Sequence, residues 1–591
     1  MQGSPFRLPR HTPFGIGESF VEWLTGLSKL DGHYQKKPKD PTSFEFMNYT
    51  LSTLGIEYEV GRGNTDDIPK EGPLVIVANH PLGAIEGVIL ADFIGRIRQD
   101  VKVLANELLK RLPEISELFI GIDVFEGKNA HKTNAKGVRE AHQHLADGGV
   151  LIVFPAGEVS TYCKSSNMLA DIEWSQSVAK FVKRSKAVTL PIYVNGKNSH
   201  LFYQAGRVHP LLRTALLGRE LLNKSEKTIQ ISLGSPIPFR EIKDFASDKD
   251  IVNYFRLNTY LMSPETKPET NFEESYQTPI IDPLDKHELQ QELDSLPAEA
   301  LLLENKEFSV YCVGTQSIPL MMREIGRVRE ESFRQVGEGS GLACDLDEYD
   351  LHYQQLFVWN NSEKELVGSY RLGLVDELVK KNGIEGLYSR SLFQYQQQFI
   401  DTLENCIEVG RSVVSIKYQR NINSLLLLWK GIATYVHRHP KYTHLFGPVS
   451  ISNEYSDVAR HLMAATLSIY HYDNEKASLV KPSTPLRSTG NTFWQSNLLS
   501  PLANVSLLSK VLSRMEKGKG LPVLLRQYLG MNGKLVCFNV DPAFNDTLDG
   551  LIVVNLKQVP LKTLSKYMGS DEAKWYLEVE HQVQTTPQLV K

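Results

Sequence analysis

Between residues 73 and 262, short apolar runs alternate with amphipathic stretches. PLVIVAN (73–79), VKVLAN (101–106), GGVLIVFPAGE (148–158) and AVTLPIYVNG (187–196) each read as a buried strand ending in a turn, because the apolar residues are nearly continuous and Gly, Pro or Asn closes the run. Between them lie helical patterns such as GVREAHQHLADGG (137–149), closed by a glycine pair. This alternation predicts an α/β unit with a mostly parallel sheet. After residue 262 the pattern fades into Pro, Glu, Thr and Ser, with few apolar clusters until residue 298, and reads as a linker. A second mixed α/β pattern follows. Its strands include FSVYCV (308–313), QQLFVWN (354–360), ELVGSYRLGL (365–374), CIEVGRSVV (406–414) and LVCFNVD (535–541). Its main helices are IPLMMREIGRVREESFRQV (318–336) and INSLLLLWKGIATYVHRH (422–439). The expected organisation is a helical or extended N-terminal segment (1–69), an α/β domain (70–262), a linker (263–304), a second α/β domain (305–572) and a weakly structured tail (573–591).

Composition narrows the class. The 591 residues suffice for about three to four domain-sized units. With 65 basic and 69 acidic residues the formal charge is −4, and 41% of residues are apolar. That balance excludes a disordered, collagen-like or polybasic nucleic-acid-binding chain. The five cysteines are scattered and none form a CxxC pair, so neither a disulfide framework nor a metal site is expected. A reducing, cytoplasmic location follows. The N-terminus lacks the apolar run of a signal peptide, and no window reaches about 18 uninterrupted apolar residues. Membrane contact is therefore expected to be peripheral, at the inner face of the cytoplasmic membrane. PLLRTALLGRELLNK (210–224) has leucines at helical spacing with Arg213, Arg219 and Lys224 flanking, and fits either an interfacial helix or one facing a core.

The first chemical candidate is NHPLGAIEG (79–87), directly after a buried strand. Open α/β sheets bind ligands at the carboxyl ends of their strands, which is where His80 stands. A histidine with a nearby acid can activate a hydroxyl: the ring takes the proton and the carboxylate orients it. Pro81 and Gly83 make the intervening segment a turn, so Glu86 can fold back on His80. VFPAGEVS (153–160) and AVTLPIYVNGKNS (187–199) complete the pattern. These three blocks, over roughly residues 70–240, resemble the glycerolipid acyltransferase family, with its His–Asp, Phe-Pro-Glu-Gly-Thr-Arg and Val-Pro blocks. The resemblance implies that His80 deprotonates an acceptor hydroxyl, which attacks an acyl thioester, with Gly83, Phe154, Pro155, Gly157 and Glu158 lining the substrate site. The family's aspartate would fall at Ile85, which leaves Glu86 or Asp92 as the partner of His80. Ala156 and Val159 stand in place of the family's second-block glutamate and arginine. Loss of that arginine removes a phosphate contact and implies an acceptor without glycerol phosphate. Glu158 either meets a cationic or hydroxylated head group or complements a helix N-terminus.

The second domain carries a denser set. EIGRVREESFRQVGEGSG (324–341), DLDEYDLHY (345–353), VGSYRLG (367–373), EVGRSVV (408–414), YQRNINSLLLLWKGI (418–432) and HLFGPVSIS (444–452) are each weak alone. In this order they resemble GNAT-type acyltransferases, the ornithine-lipid N-acyltransferases in particular, and they share a layout with homoserine-lactone synthases. LPVLLRQYL (521–529) and FNVDPAFNDTLDGLIVVNL (538–556) fit the ornithine-lipid branch. The resemblance implies amide formation. An amine must be neutral to attack a thioester, so a base is needed, with donors for the oxyanion. Glu408 is the candidate base. Arg411 and Arg420 are candidates for the phosphate of a phosphopantetheine arm. Asp345, Asp347 and Asp350 either hold a cationic amino acid or cap a turn. Arg329 and Arg371 are further binding candidates, and Arg526 is the candidate for the acceptor carboxylate. QRNINS (419–424) lacks the glycines of a pyrophosphate loop, which favours acyl carrier protein over coenzyme A as donor.

As a whole the chain resembles the bifunctional ornithine lipid synthases. That implies N-acylation of an amino acid, ornithine first, with a 3-hydroxyacyl chain from acyl carrier protein, followed by O-acylation of the lyso-aminolipid's hydroxyl. Glycine, lysine or glutamine are alternative acceptors. A single glycerolipid acyltransferase with a non-catalytic second domain is another alternative. No tightly bound cofactor is expected, and acyl-CoA is a possible donor. The expected partners are acyl carrier protein, the amino acid and the lyso-lipid, with no nucleic acid.

Overall fold

Leu74–Ala78, buried at all five positions, is the middle strand of a seven-stranded sheet in the computed structural model. The structure describes residues 4–9, 16–106, 109–110, 112–122, 130–163, 168–264, 277–487, 494 and 496–579. The sheet runs Glu57–Arg62, Thr228–Leu233, Val188–Val194, Leu74–Ala78, Val150–Val153, Val101–Asn106, Phe119–Ile122. Neighbours are parallel except Val188–Val194 with Thr228–Leu233. Burial on both faces explains the uninterrupted apolar runs. Leu74, Ile76 and Ala78 face a core shared with Phe46, Met47, Ile85 and Ile89, while the alternate Val75 and Val77 are buried on the opposite face.

The chain divides into two units. The first holds residues 1–267 and 489–507, the second 268–488 and 508–591. Residues 489–507 were expected in the second domain, and the structure assigns them to the first. There the 3-10 helix Ser496–Ala503 packs on the helix Asp248–Tyr260: Asn253 Nδ2 donates to Asn497 O (2.9 Å) and Ser500 Oγ to Asp250 Oδ1 (2.7 Å).

The second unit is built on eight strands in the order Leu301–Asn305, Phe308–Gly314, Gln354–Asn360, Glu365–Leu374, Cys406–Val414, His444–Ile451, Thr547–Asn555, Lys534–Asp541. One neighbouring pair is parallel, Cys406–Val414 with His444–Ile451. The helix Pro319–Arg334 packs Met321, Ile325 and Val328 against Phe357 and Trp359 of the sheet. Leu289 and Leu293 of the helix Lys286–Asp294 join that core, so the later part of the expected linker is structured. The helix Ser570–Glu578 buries Ala573 and Tyr576, so the tail's beginning is packed, while residues 580–591 lie outside the described residues. The stretch 210–224 forms two short helices, Pro210–Ala215 and Leu217–Leu222. Glu220 in it is buried, accepting from Ser199 N (2.8 Å). Among the described residues no helix is long and apolar enough to cross a membrane.

Candidate active sites

His80 follows the central strand, and Asn79 fixes where it leaves the sheet. Asn79 Nδ2 donates to Val194 O (3.0 Å) and Val194 N to Asn79 Oδ1 (2.7 Å). The chain then turns at Gly83, whose φ of 103° is open to glycine, into the helix Ala84–Gly95. Glu86 on its first turn is fully buried. Its Oε1 accepts from Leu82 N and Gly83 N (2.9 Å each) and lies 2.9 Å from His80 Nδ1. Asp92 is engaged elsewhere, by Tyr58 and Arg96, so Glu86 is the residue brought beside His80. Burial works against a charged ring, yet the Glu86 carboxylate, with Asp171 behind it, holds the imidazole pKa above its usual value.

Asp171, which belongs to none of the sequence blocks, anchors the other side. It accepts from His80 N (3.1 Å), Ser160 Oγ (2.5 Å) and Trp174 Nε1 (2.9 Å). It sits in a loop 91 positions from His80, with no local motif to mark it. Its burial raises its pKa despite these donors.

A cavity of about 400 Å³ opens from His80, largely apolar, lined among others by Gly83, Phe154, Gly157 and Glu158. Pro155 does not line it. It shapes the turn, its carbonyl accepting from Ser175 N (2.9 Å). The Phe154 ring lies 4.7 Å from the His80 ring. Glu158 pairs with Arg213 (2.9 Å), which also lines the cavity. Arg213 was visible only as a flank of the leucine stripe.

In the second unit the parallel strands Cys406–Val414 and His444–Ile451 pair only from Cys406–Glu408 to His444–Phe446, and then fork. Gly447 sits at the fork, where a Cβ would lie 2.1 Å from Val409 O. Beyond it, Val409–Ser412 and Pro448–Ser450 wall a cavity of about 150 Å³. A forked pair leaves inner-edge peptide groups outside the ladder. Glu338, Arg411, Asp541 and Asp549 also line this cavity.

Glu408 does not line it. Its carboxylate accepts from Tyr353 OH, Tyr388 N (3.1 Å) and Ser389 N (2.7 Å), holding the 3-10 turn Tyr388–Ser391 whose Tyr388 ring does line the cavity. The candidate base is therefore held by three donors beside the cavity lining. Arg329, Asp350 and Arg371 are likewise buried in one another. Arg329 donates to Asp350 Oδ1 (2.9 Å) and Gln355 Oε1 (2.9 Å), and Arg371 donates to Asp347 Oδ1 (2.5 Å). Burial opposes ionisation of Asp350, but Arg329 and Arg371 pull its pKa down to about 2. Asp347 and Asp350 cap each other across Glu348–Leu351, the turn-capping alternative. None of these four lines the cavity. Arg411 does, from a bulge where φ is +47°, pairing with Asp347 (3.3 Å) and Asp345 (3.5 Å). Arg420 is exposed just before Asn421, the N-cap of the helix Ile422–Arg438. Arg526 is exposed on the helix Val523–Gly530, away from its cavity-lining Leu524 and Tyr528. Asp549 was missed, although an acid inside the apolar run TLDGLIVVN was a readable anomaly.

Residues 35–267 match the family described as Acyltransferase, and residues 328–430 match the Acetyltransferase (GNAT) domain. A glycine N(alpha)-acyltransferase of Phocaeicola vulgatus is 28% identical over 297 residues, covering 47% of this chain and 89% of that protein. Its namesake in Bacteroides thetaiotaomicron is 35% identical over 219 residues, 35% of this chain and 64% of that protein. A lyso-glycine lipid O-acyltransferase of the same bacterium is 29% identical over 214 residues, 35% of this chain and 75% of that protein. The chain is an enzyme, an acyltransferase with an acyltransferase-like α/β domain at its N-terminal end and a GNAT domain toward its C-terminal end.

Proposed function

We propose that this enzyme builds a diacylated aminolipid by two successive acylations. The observation that carries the reading is the union in one chain of likeness to an N-acyltransferase and to a lyso-lipid O-acyltransferase, two proteins in Bacteroides thetaiotaomicron. The GNAT domain joins a 3-hydroxyacyl chain, delivered as a thioester on acyl carrier protein, to the α-amine of an amino acid. The N-terminal domain then esterifies the 3-hydroxyl. There His80 Nε2 takes the hydroxyl proton while Glu86 holds Nδ1. The alkoxide attacks the second thioester, a C–O bond forms, the C–S bond breaks, and the departing sulfur takes the proton from His80. The apolar cavity beside His80 suits an acyl chain. Fusion passes a poorly soluble intermediate between sites at high effective concentration.

Ornithine is the proposed acceptor. Three carboxyl groups, Glu338, Asp541 and Asp549, surround the GNAT cavity, while its Arg411 is already paired with acids, a balance that suits an acceptor with a second ammonium group. Glycine is the second reading, favoured by the names of the relatives. The site of action is the membrane interface. The helix Ile16–Leu24 turns Glu18 and Glu22 inward and leaves Ile16, Phe20 and Trp23 exposed by 68%, 61% and 67%.

The test is mass spectrometry of lipids from a bacterial host without aminolipids. Wild type should give a new diacyl aminolipid whose head-group fragment identifies the amino acid, and His80→Ala should accumulate the monoacyl amide. Altered phospholipid chains with no amide would overturn the reading in favour of a glycerolipid acyltransferase.

A further inference from the structure

Resting on that two-step reading, we propose that Asp549 is the catalytic base of the N-acylation, taking the proton from the acceptor's ammonium where the two parallel strands fork. Three observations converge on it. The cavity lies beside the fork, and Asp549 lines it together with Val409–Ser412, the stretch of strand that would receive the thioester. Asp549 stands directly across from Ser450 in the antiparallel pairing of His444–Ile451 with Thr547–Asn555, and Ser450 Oγ donates to its Oδ1 (2.8 Å). That single hydroxyl leaves the carboxylate lone-pair capacity for a substrate N–H. Glu408, by contrast, spends its carboxylate on Tyr353, Tyr388 and Ser389.

The groups around Asp549 tune it. Asp541 faces it from the neighbouring strand Lys534–Asp541, Glu338 from the turn after the helix Pro319–Arg334, Arg411 from Cys406–Val414, and Tyr388 from its 3-10 turn. Burial first, then the like charges of Asp541 and Glu338, push its pKa up to about 8, against the pull of Ser450 and Arg411. A base of that strength can accept an ammonium proton, which an ordinary exposed aspartate does poorly. One N–H proton passes to Asp549. The freed lone pair forms the C–N bond at the thioester carbon and the C–S bond breaks. The second N–H proton leaves with the sulfur as a thiol, and Asp549 returns its own proton to water.

The experiment is the pH dependence of amide formation by the full chain, with a 3-hydroxyacyl chain on acyl carrier protein or coenzyme A and with ornithine or glycine. Wild type should rise through a limb centred near 8. Asp549→Asn should lose about 100-fold or more in kcat and lose that limb, while O-acylating supplied monoacyl amide at the wild-type rate. Ser450→Ala, which keeps the acid and removes its donor, should fold and move the limb upward. If Asp549→Asn keeps both rate and limb, or if Glu408→Gln alone abolishes the limb, the assignment falls and the two-step reading stands. If wild type makes no amide with either amino acid on either carrier, both fall together.

Discussion

At the scale of single residues, each domain buries a carboxylate beside a cationic or ionisable partner, Glu86 by His80 and Asp350 by Arg329. Glu86 supports His80, and the sign of that support is testable. Removing its charge in Glu86→Gln lets burial dominate, so the His80 pKa falls. The pH–rate profile of O-acylation should keep its shape while its limb moves to lower pH and its plateau drops, whereas His80→Ala should lose about 10²- to 10⁴-fold. Asp350 works for stability instead. With its native pKa near 2, below the ordinary aspartate value, its contribution is complete above the unfolded value and disappears as pH falls toward 2. Asp350→Ala leaves Arg329 and Arg371 buried without that partner and should cost about 3–5 kcal/mol in chemical unfolding of the GNAT domain. The sequence displayed all of these residue types. What it could not display is which carboxylate is already satisfied. Glu408 carries the motif, yet two backbone N–H groups and a tyrosine occupy it, and those partners are brought in by tertiary folding alone.

At the scale of elements, pattern was readable wherever burial is continuous. Gln354–Asn360 and Glu365–Leu374 form strands over the residues their apolar runs mark, because both are central in the sheet. Glu57–Arg62 has no such pattern. It is an edge strand with no buried position, held by its register with Thr228–Leu233. Gly83 shows why the His80 turn tolerates little change: besides its positive φ, an added Cβ would come within 2.7 Å of Leu217 Cδ2. Gly83→Ala should therefore lower O-acylation by displacing His80 from Glu86 while leaving amide formation intact. The helix Ile16–Leu24 inverts the usual order. Glu22 is fully buried, accepting from Arg7 (3.1 Å) and from Leu8 N (2.8 Å), while the apolar residues face outward. Burying a large apolar side chain is worth about 1.5–3 kcal/mol. The double variant Phe20→Ser/Trp23→Ser should thus lose at least about tenfold in sedimentation with lipid vesicles. Its turnover of substrates dispersed in detergent should not change. Equal vesicle binding would remove this helix from the membrane reading.

At the scale of the whole molecule, the order of residues along the chain does not coincide with the division into two units. Residues 489–507 belong to the first unit although the chain reaches them after most of the second unit has been traced. The reason lies in the helix Asp248–Tyr260, which is buried at nearly every turn. Part of its cover is the 3-10 helix Ser496–Ala503, whose Leu498, Leu499 and Leu502 are buried. No period in the sequence ties residues so far apart, because the tie is made by a few apolar contacts and two side-chain hydrogen bonds rather than by any repeating pattern. The consequence is specific. A fragment ending at residue 304 contains His80, Glu86, Asp171 and Arg213, and so every group identified at the O-acylation site. It lacks the three leucines, each worth about 1.5–3 kcal/mol when buried. Against the 5–15 kcal/mol that holds a typical domain folded, that loss is large. The fragment should melt well below the same unit in the full chain and should expose apolar surface to a hydrophobic dye. Supplying residues 489–507 through a flexible linker should restore both its melting temperature and its O-acylation of monoacyl amide. A fragment as stable and as active as the intact enzyme without that segment would show the first unit to be complete by residue 304, and the later segment to be a passenger on it.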